Sequence, residues 1–491
     1  MRKEKGERKM KKKVVGILEI VILCFSLFFF VGTAFTSSVG LSFQVFLSED
    51  TRAAPLSLWP NGWFYYSPSE IQLAYNLNPL YDAGYDGSGQ TIVIVDAYGS
   101  PQTYEDLLLF DSIFGLPDPP SFTIYYPTGI PEVDWEDPTV QGWAIETSLD
   151  VQWAHAIAPG ADIALVVAQS SWTSDMNPSI DYAVRNELGS VISQSFGIQE
   201  PWLTGPYRQI ISEMHNSYVQ AARKGITVLA STGDDGSNGY PLFDFNSVSH
   251  PSSDPYVTAV GGTSLYMELD ENSVGTAYSY ETVWEEAFLY GDPTDPFLWY
   301  AGTGGGVSMF FSMPPWQKDA EIEVTEVMHY GMGGDTYTPK KRAVPDVSYN
   351  AGVYTSPVIC VVTLPAGTYL YWIGGTSAGA PQWAGIVAIA NQMTTEWGGT
   401  TVGFMNPKLY SLYTRKKGAE YLNCFNDVTL DDPGFPYGNT GWYWADPSTY
   451  NYYSGATPVW GYAVTPGWDA CTGLGTPNAA YLVPALASLS V

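Results

Sequence analysis

The sequence predicts an α/β fold, a mostly parallel sheet flanked by helices in one domain with long loops, on three observations. Short apolar runs recur at Thr91–Val95, Ile163–Val167, Val191–Ser195, Ile226–Ala230, Val257–Val260 and Val358–Val362. Runs of this length, bounded by turn residues, read as buried strands. Helix-like segments separate many of them, as at Ile210–Lys224, and such alternation argues for a parallel sheet with helices on both faces. The 49 Gly, 35 Pro and 35 Tyr concentrate in long loops such as 285–306 and 431–460, and loops on a rigid scaffold commonly hold binding contacts.

Taken in order, the chain opens on a targeting segment. Residues 2–13 hold eight bases, and an apolar run follows from Val14 to Phe35, interrupted only by Glu19. Gly32-Thr-Ala34 offers small residues of the kind a signal peptidase accepts. Counted from Val14 the run is also long enough to span a bilayer. Residues 1–35 are therefore a signal peptide or a membrane anchor working through residues 14–35, and either places the rest of the chain outside the cell, secreted or held on the outer face of the membrane. Residues 36–66 read as a linker or residual segment. The remainder, 67–491, is one large unit without internal repeats.

Beyond the first thirteen residues the chain holds 13 bases against 48 acids, a net of −35, yet only 14% of all residues are charged. A salt-adapted surface would raise that share above the ordinary value of about 25%. Nearly all the charge here disappears when carboxylates are protonated, which relieves self-repulsion. The balance points to a protein that works in acid. It also argues against nucleic acid as a partner, since no basic patch exists beyond the N-terminus. Cys24 lies in the apolar run, leaving Cys360, Cys424 and Cys471 in the exported part; an odd count is not a disulfide framework.

Three motifs carry chemistry. Glu146 and Asp150, in Gly142-Trp-Ala-Ile-Glu-Thr-Ser-Leu-Asp150, sit four residues apart, on one face of a helix and within reach of each other. Gly233-Asp-Asp-Gly236 reads as a turn that presents two carboxyls. Ser377, in Gly374-Gly-Thr-Ser-Ala-Gly-Ala-Pro381, precedes a helix-like run from Gln382 to Gln392, which places its hydroxyl at a helix N-terminus. Gly-Gly-Thr-Ser also occurs at 261–264, but there a strand-like Leu-Tyr-Met-Glu-Leu follows. Taken singly, each motif has a structural reading: a solvated helix face, a turn, a cap. A serine beside a base that a third group orients is the logic of a catalytic triad; here the base would be a carboxylate.

Together these motifs resemble the sedolisins, the serine-carboxyl peptidases, acid-active relatives of subtilisin. The likeness runs from about Ser67 to the C-terminus. It includes Ser67-Pro-Ser-Glu-Ile, Tyr81-Asp-Ala-Gly-Tyr-Asp-Gly-Ser-Gly-Gln-Thr-Ile-Val-Ile-Val-Asp96, Leu149-Asp-Val-Gln152, Ala158-Pro159, Ser252-Ser-Asp-Pro-Tyr-Val-Thr-Ala-Val-Gly-Gly-Thr263, Gly304-Gly-Gly306, Pro345-Asp-Val-Ser348 and Gly467-Trp-Asp-Ala-Cys-Thr-Gly-Leu-Gly475. The resemblance implies a subtilisin-like fold and a peptidase acting on proteins or peptides through an acyl-enzyme. It makes Ser377 the nucleophile, Glu146 the base, Asp150 the carboxylate that orients Glu146, and Asp234, rather than Asp235, the oxyanion donor together with the Ser377 N–H. A carboxyl donates a hydrogen bond only while protonated, and the reference pKa of Asp is about 3.9, so activity is expected to peak below about pH 5. Asp96, ending the first strand, is expected in an outer hydrogen-bond network. Phe196 stands where the family often has tryptophan. Gly304–Ser308 resembles the edge that pairs with substrate backbone.

The resemblance also implies one Ca²⁺ near the C-terminus, held by Asp427, the carbonyls of Val428, Thr465 and Gly467, and Asp469, an all-oxygen set suited to a hard cation. If those aspartates converge, Cys424 and Cys471 come near each other, and a disulfide between them is an expectation. Relatives are usually made with a large prodomain; here 66 residues precede the likeness, with 36–66 a linker or residual pro-segment, so either the protein folds unaided, or the helper is a separate pro-segment or inhibitor chain, or the region is truncated. A histidine-based subtilisin is rejected, since His155, His215, His250 and His329 sit in no suitable motif. The alternative from another class is a catalytically inactive exported binding or structural protein on the same fold.

Overall fold

The computed structural model describes residues 36–37, 43–46, 65–239, 243–292, 295–328, 332–415, 419–434, 437–444 and 456–488; the targeting segment at 1–35 lies outside them. Among the described residues no helix is long and apolar enough to cross a membrane.

The first helix, α1 (Pro68–Ala74), starts at a capping box. Ser67 N donates to Glu70 Oε2 at 2.8 Å, and the Ser67 hydroxyl caps the Glu70 N–H, so two N–H groups of the helix start are satisfied reciprocally. Seven parallel strands then form the central sheet. In chain order they are β1 (Thr91–Ala97), β2 (Phe122–Tyr125), β3 (Asp162–Ala168), β4 (Val191–Gln194), β5 (Thr227–Ser231), β6 (Thr258–Leu269) and, far downstream, β8 (Val347–Asn350). Their order across the sheet is β2-β3-β1-β4-β5-β6-β8, and β7 (Gly275–Val283) adds antiparallel to β6. Registers are continuous, from Thr91↔Asp162 to Ala97↔Ala168 between β1 and β3 and from Val260↔Val347 to Thr263↔Asn350 between β6 and β8. This is the parallel sheet that the alternation of elements predicts.

Two helices run through the centre of the molecule. In α2 (Pro138–Ile157) every residue from Gly142 onward is buried. In α4 (Thr376–Glu396) the same holds from Thr376 to Thr394. Such helices are apolar nearly all round because no face meets water. They pack closely where α4 carries Gly385: a Cβ there would stand 2.7 Å from Ile157 Cβ. The helix α3 (Arg208–Arg223) covers the sheet as expected for Ile210–Lys224, burying Ile210, Ile211, Met214, Tyr218 and Ala221. The two ends of the domain meet. Ala479 N donates to Tyr75 O at 2.9 Å, and Asn76 Nδ2 to Asn478 Oδ1 at 2.8 Å.

Several expectations need correction. The Val358–Val362 run lies outside the central sheet. It forms Val358–Leu364, an antiparallel partner of Gly367–Ile373. The expected loops at 285–306 and 431–460 contain hairpins, Glu285–Asp292 with Asp295–Gly302 and Gly441–Trp444 with Ala456–Val459. Their Phe, Tyr, Trp and Leu residues favour pleated strands, a preference that the surrounding Gly and Pro concealed. Within 36–66, Thr36–Ser37 pairs with Phe196–Gly197 and Phe43–Phe46 with Tyr369–Trp372, so this segment contributes strands to the domain.

Candidate active site

The four predicted site residues meet at the carboxyl ends of the central strands, where open parallel sheets commonly bind ligands. Glu146 and Asp150, one turn apart on α2, are both fully buried. Asp96, the penultimate residue of β1, lies beside them, also fully buried. Ser195 follows β4. Asp234 stands in the turn after β5. Ser377 is the second residue of α4, whose N-terminus is set by Gly375 at φ +104°, in the left-handed region that glycine tolerates best; Gly375 N donates to Ala351 O at 2.7 Å.

The contacts within this group are specific. The Ser377 hydroxyl lies near enough to the Glu146 carboxyl to oppose the rise in its pKa, although neither Glu146 oxygen has a hydrogen-bond partner. Catalytic hydrogen bonds are often loose before substrate arrives. Asp150 Oδ1 accepts from Ser195 Oγ at 2.8 Å, and its Oδ2 has no partner. Asp234 Oδ1 accepts twice from Thr376, from N and from Oγ1, each at 2.8 Å. Its Oδ2 is buried without a partner. The main chain behind it is fixed: Gly302 N donates to Asp234 O and Gly304 N to Gly233 O, both at 2.8 Å.

Electrostatics in the cluster favour protonated carboxyls. Burial raises Glu146 well above its ordinary range, and Asp96 and Asp234 raise it further, while the Ser377 hydroxyl pulls the other way. Burial, then Asp96 and Glu146, raise Asp150 well above its range, opposed by Ser195. Burial lifts Asp96 to about 7, against the Thr147 hydroxyl. Asp234 is lifted to about 8 by burial, opposed by its bonds from Thr376. Desolvation is the leading cause throughout, with like charges adding to it. Asp235 is lifted by burial to about 7 and forms a bridge with Gly302. Asp234 therefore stays protonated far above the reference value used for the sequence expectation.

Sequence reasoning missed two members of the group. Thr376 clamps Asp234, and Ser195 binds Asp150. The signal for Ser195 was its place directly after a strand-like run, at the edge where site residues gather. Phe196 is buried 6.3 Å from Trp143, ring centre to ring centre, and offers Asp96 no N–H. The Gly304–Ser308 stretch is already paired in part, Gly306 with Val344 and Val307 with Ala343. His155 and His215 are engaged elsewhere, with Pro117 O and Asp254 respectively.

The predicted C-terminal ligand residues lie on two joined loops. Gly467 N donates to Asp427 Oδ2 at 2.9 Å and Oδ1 at 3.1 Å. Thr465 N donates to Asp469 Oδ2 at 3.1 Å, and Cys471 N and Thr472 N donate to Oδ1 at 2.9 and 2.8 Å. Tyr421 lies near enough for both Asp427 and Asp469 to raise its pKa, after burial. The two aspartates thus flank one place, with Val428, Thr465 and Gly467 on the same loops. Among the described residues no three His, Cys, Asp or Glu side chains converge as a metal-binding set, so a cation here would rest on two carboxylates and main-chain carbonyls. The expected Cys424–Cys471 disulfide is absent. Both residues are buried thiols, and the Cys471 Sγ–H donates instead to Tyr462 O at 2.9 Å.

The subtilase family model matches residues 140–408, the stretch that holds Glu146, Asp150, Asp234 and Ser377. The chain is 32% identical to kumamolisin of Bacillus sp. (strain MN-32) over 425 residues, 86% of this chain and 63% of kumamolisin. It is 28% identical to sedolisin of Pseudomonas sp. (strain 101), over 85% of this chain and 60% of sedolisin. With tripeptidyl-peptidase 1 of Mus musculus the identity is 27%, over 68% of this chain and 50% of the relative. The chain thus spans between half and two thirds of the length of these relatives. Among solved structures, that of the Pseudomonas serine-carboxyl proteinase sedolisin, complexed with two molecules of pseudo-iodotyrostatin, has a TM-score of 0.63 at 27% identity, covering 86% of this chain and 97% of that one.

Proposed function

The chain belongs to the subtilase family and, within it, to the sedolisins, and from that premise we propose that it is an acid-acting serine-carboxyl peptidase that hydrolyses peptide bonds of proteins or peptides through an acyl-enzyme. The observation that carries this reading is the convergence of Ser377 with the carboxyls: Ser195 Oγ touches both Asp150 Oδ1 and Ser377 O, and Asp234 Oδ1 accepts from Thr376 beside Ser377. Ser377 Oγ attacks the scissile carbonyl. Glu146 takes the hydroxyl proton and later returns it to the leaving amine. Asp150, held by Ser195, lies one turn from Glu146 and opposes its second charge, so the pair shares one negative charge over the working range. Asp234 donates its Oδ2–H to the developing oxyanion, with the Ser377 N–H as second donor. In acid an imidazole base would be protonated, whereas a carboxylate, with an ordinary pKa of about 4, is a base suited to acid; the raised pKa values of Glu146 and Asp150 set the lower pH limit of that base. Peptide hydrolysis measured from pH 2 to 9, with and without Ser377, tests this reading.

A single Ca²⁺ on Asp427 and Asp469, with the carbonyls of Val428, Thr465 and Gly467, belongs to the same proposal. The joined loops support it, as does the all-oxygen donor set. The ion would tie the C-terminal loops together and stabilise the fold. Burial lifts Asp469 to about 7 and raises Asp427, so affinity falls as pH drops through that range, because protonated carboxyls are poor ligands. A chelator is expected to lower the melting temperature by a few degrees at pH 7.5, since calcium at 100-fold its Kd stabilises by about 2.7 kcal/mol. The same chelator at pH 4 is expected to change it little. Equal melting with and without chelator at pH 7.5 removes the ion. Export through residues 1–35, as a cleaved signal or an anchor, completes the proposal and rests on their basic flank and apolar run.

A further inference from the structure

Ser377 is the second residue of a helix whose hydrogen-bond ladder is broken by Pro381, the sixth residue beyond Gly375. In α4 the Ser377 carbonyl would accept from residue 381, which is Pro381 and has no N–H. That carbonyl belongs to the nucleophile itself. Ser195 Oγ lies 3.4 Å from it and 2.8 Å from Asp150 Oδ1. One hydroxyl thus faces two acceptors with one proton to give. We propose that Ser195 is a positioning residue for peptide hydrolysis, whose hydroxyl ties the orienting carboxyl of Asp150 to the main chain of Ser377. This rests on the peptidase reading above.

Ser195 is well placed for the task. It is fully buried, it follows β4, and it precedes Phe196–Gln199, which Ser249–His250 holds by pairing on Ile198 and Gln199. Phe196 packs against Trp143 of α2, the helix that bears both carboxyls. The groups facing Asp150 are Asp96 from β1 and Glu146 from its own helix; Glu146 is faced in turn by Asp96, Asp234 and, behind it, Cys360. Against burial and these like charges, the Ser195 donor favours the ionised form of Asp150. While Asp150 is ionised, the hydroxyl proton points to it. When Asp150 takes a proton, that proton bonds Ser195 Oγ, and the hydroxyl turns its own toward the Ser377 carbonyl, 3.4 Å away. The start of the nucleophile's helix is then held differently in the two states.

The test compares full-length wild type, Ser195→Ala and Ser195→Thr. One readout is kcat and KM against pH on an unstructured protein substrate. The other is the Asp150 carboxyl titration by ¹³C NMR in the resting protein. Ser195→Ala is expected to lower kcat about tenfold with KM unchanged, the size of one hydrogen bond to a charged group. It should move the Asp150 midpoint and the acidic limb of the kcat profile upward by about one pH unit, because a donor to the charged form is lost. Ser195→Thr, which keeps the hydroxyl, should restore both. A uniform loss of activity with an unmoved titration would overturn the proposal, as would a folded threonine variant that behaves like alanine. If wild type hydrolyses nothing at any pH, the peptidase reading fails, while the Asp150 titration still decides whether Ser195 couples to it.

Discussion

Ser377→Ala is expected to abolish peptide hydrolysis at every pH, by about four to six orders of magnitude, the range for removing a serine nucleophile. Ser264→Ala, the same change in the other Gly-Gly-Thr-Ser tetrad, is expected to leave hydrolysis and folding intact. The structure separates the two serines. Ser377 is the second residue of α4, and its hydroxyl lies near enough to Glu146 to oppose the rise in that carboxyl's pKa. Ser264 lies within β6 opposite Thr282, with a buried hydroxyl that has no partner, so alanine there removes an unsatisfied group at little cost. Steady-state hydrolysis and thermal melts of both variants decide the matter. Equal losses of activity in two folded variants would remove Ser377 from its role. No activity in wild type would favour an inactive binding protein on the same fold.

The second large effect is expected at Asp234. Its Oδ1 is held as an acceptor by Thr376 N and Oγ1. In the neutral acid the proton therefore sits on Oδ2, the oxygen that has no partner, and is free to meet an oxyanion. Burial lifts this carboxyl to about 8. A raised pKa means the protonated form persists below about 8 and the donor is lost as pH rises through it. The activity profile is expected to be bell-shaped. Its alkaline limb follows Asp234, and its acidic limb follows loss of the remaining charge on Glu146 and Asp150. Asp234→Ala is expected to lower kcat by about 10²–10³, the usual cost of an oxyanion donor. Asp234→Asn keeps the acceptor toward Thr376 and places an N–H₂ where Oδ2 stood, a donor at any pH, so its alkaline limb should disappear. An asparagine variant with the wild-type profile would exclude Asp234 as the donor.

Much of this site was legible in the sequence because its signals are local. The four-residue spacing of Glu146 and Asp150 fixes a helix face, and a Gly-Thr-Ser before an apolar run fixes a helix start. The strands of the parallel sheet were legible where they are apolar runs four or five residues long. Val347–Asn350 was not: it is four residues with two polar side chains, and only its pairing with β6 makes it a strand. The hairpin at 285–302 was hidden because its aromatic strands sit among Gly, Pro and Asp. Thr376 and Ser195 escaped because their partners, Asp234 and Asp150, are distant in sequence, and no spacing rule reaches across the fold. How far burial raises Asp234 was not legible for the same reason, since a reference value contains no burial. The disulfide failed on side-chain direction, with Cys471 turned to Tyr462 O.

The meeting of the two ends of the 67–491 unit bears on how this molecule forms and how long it lasts. Tyr75 and Asn76 are joined to Asn478 and Ala479, and β6 finds β8 only after the hairpin at 285–302 and further strands have intervened. Pairings so remote in sequence are won late, after the entropy of closing long loops has been lost, so folding is slow. The same closure protects the finished molecule. Neither end can fray without breaking contacts with the other, so opening is a rare, large event rather than a local one. Where proteases attack, what endures is set by the rate of that event and not by the free-energy difference alone.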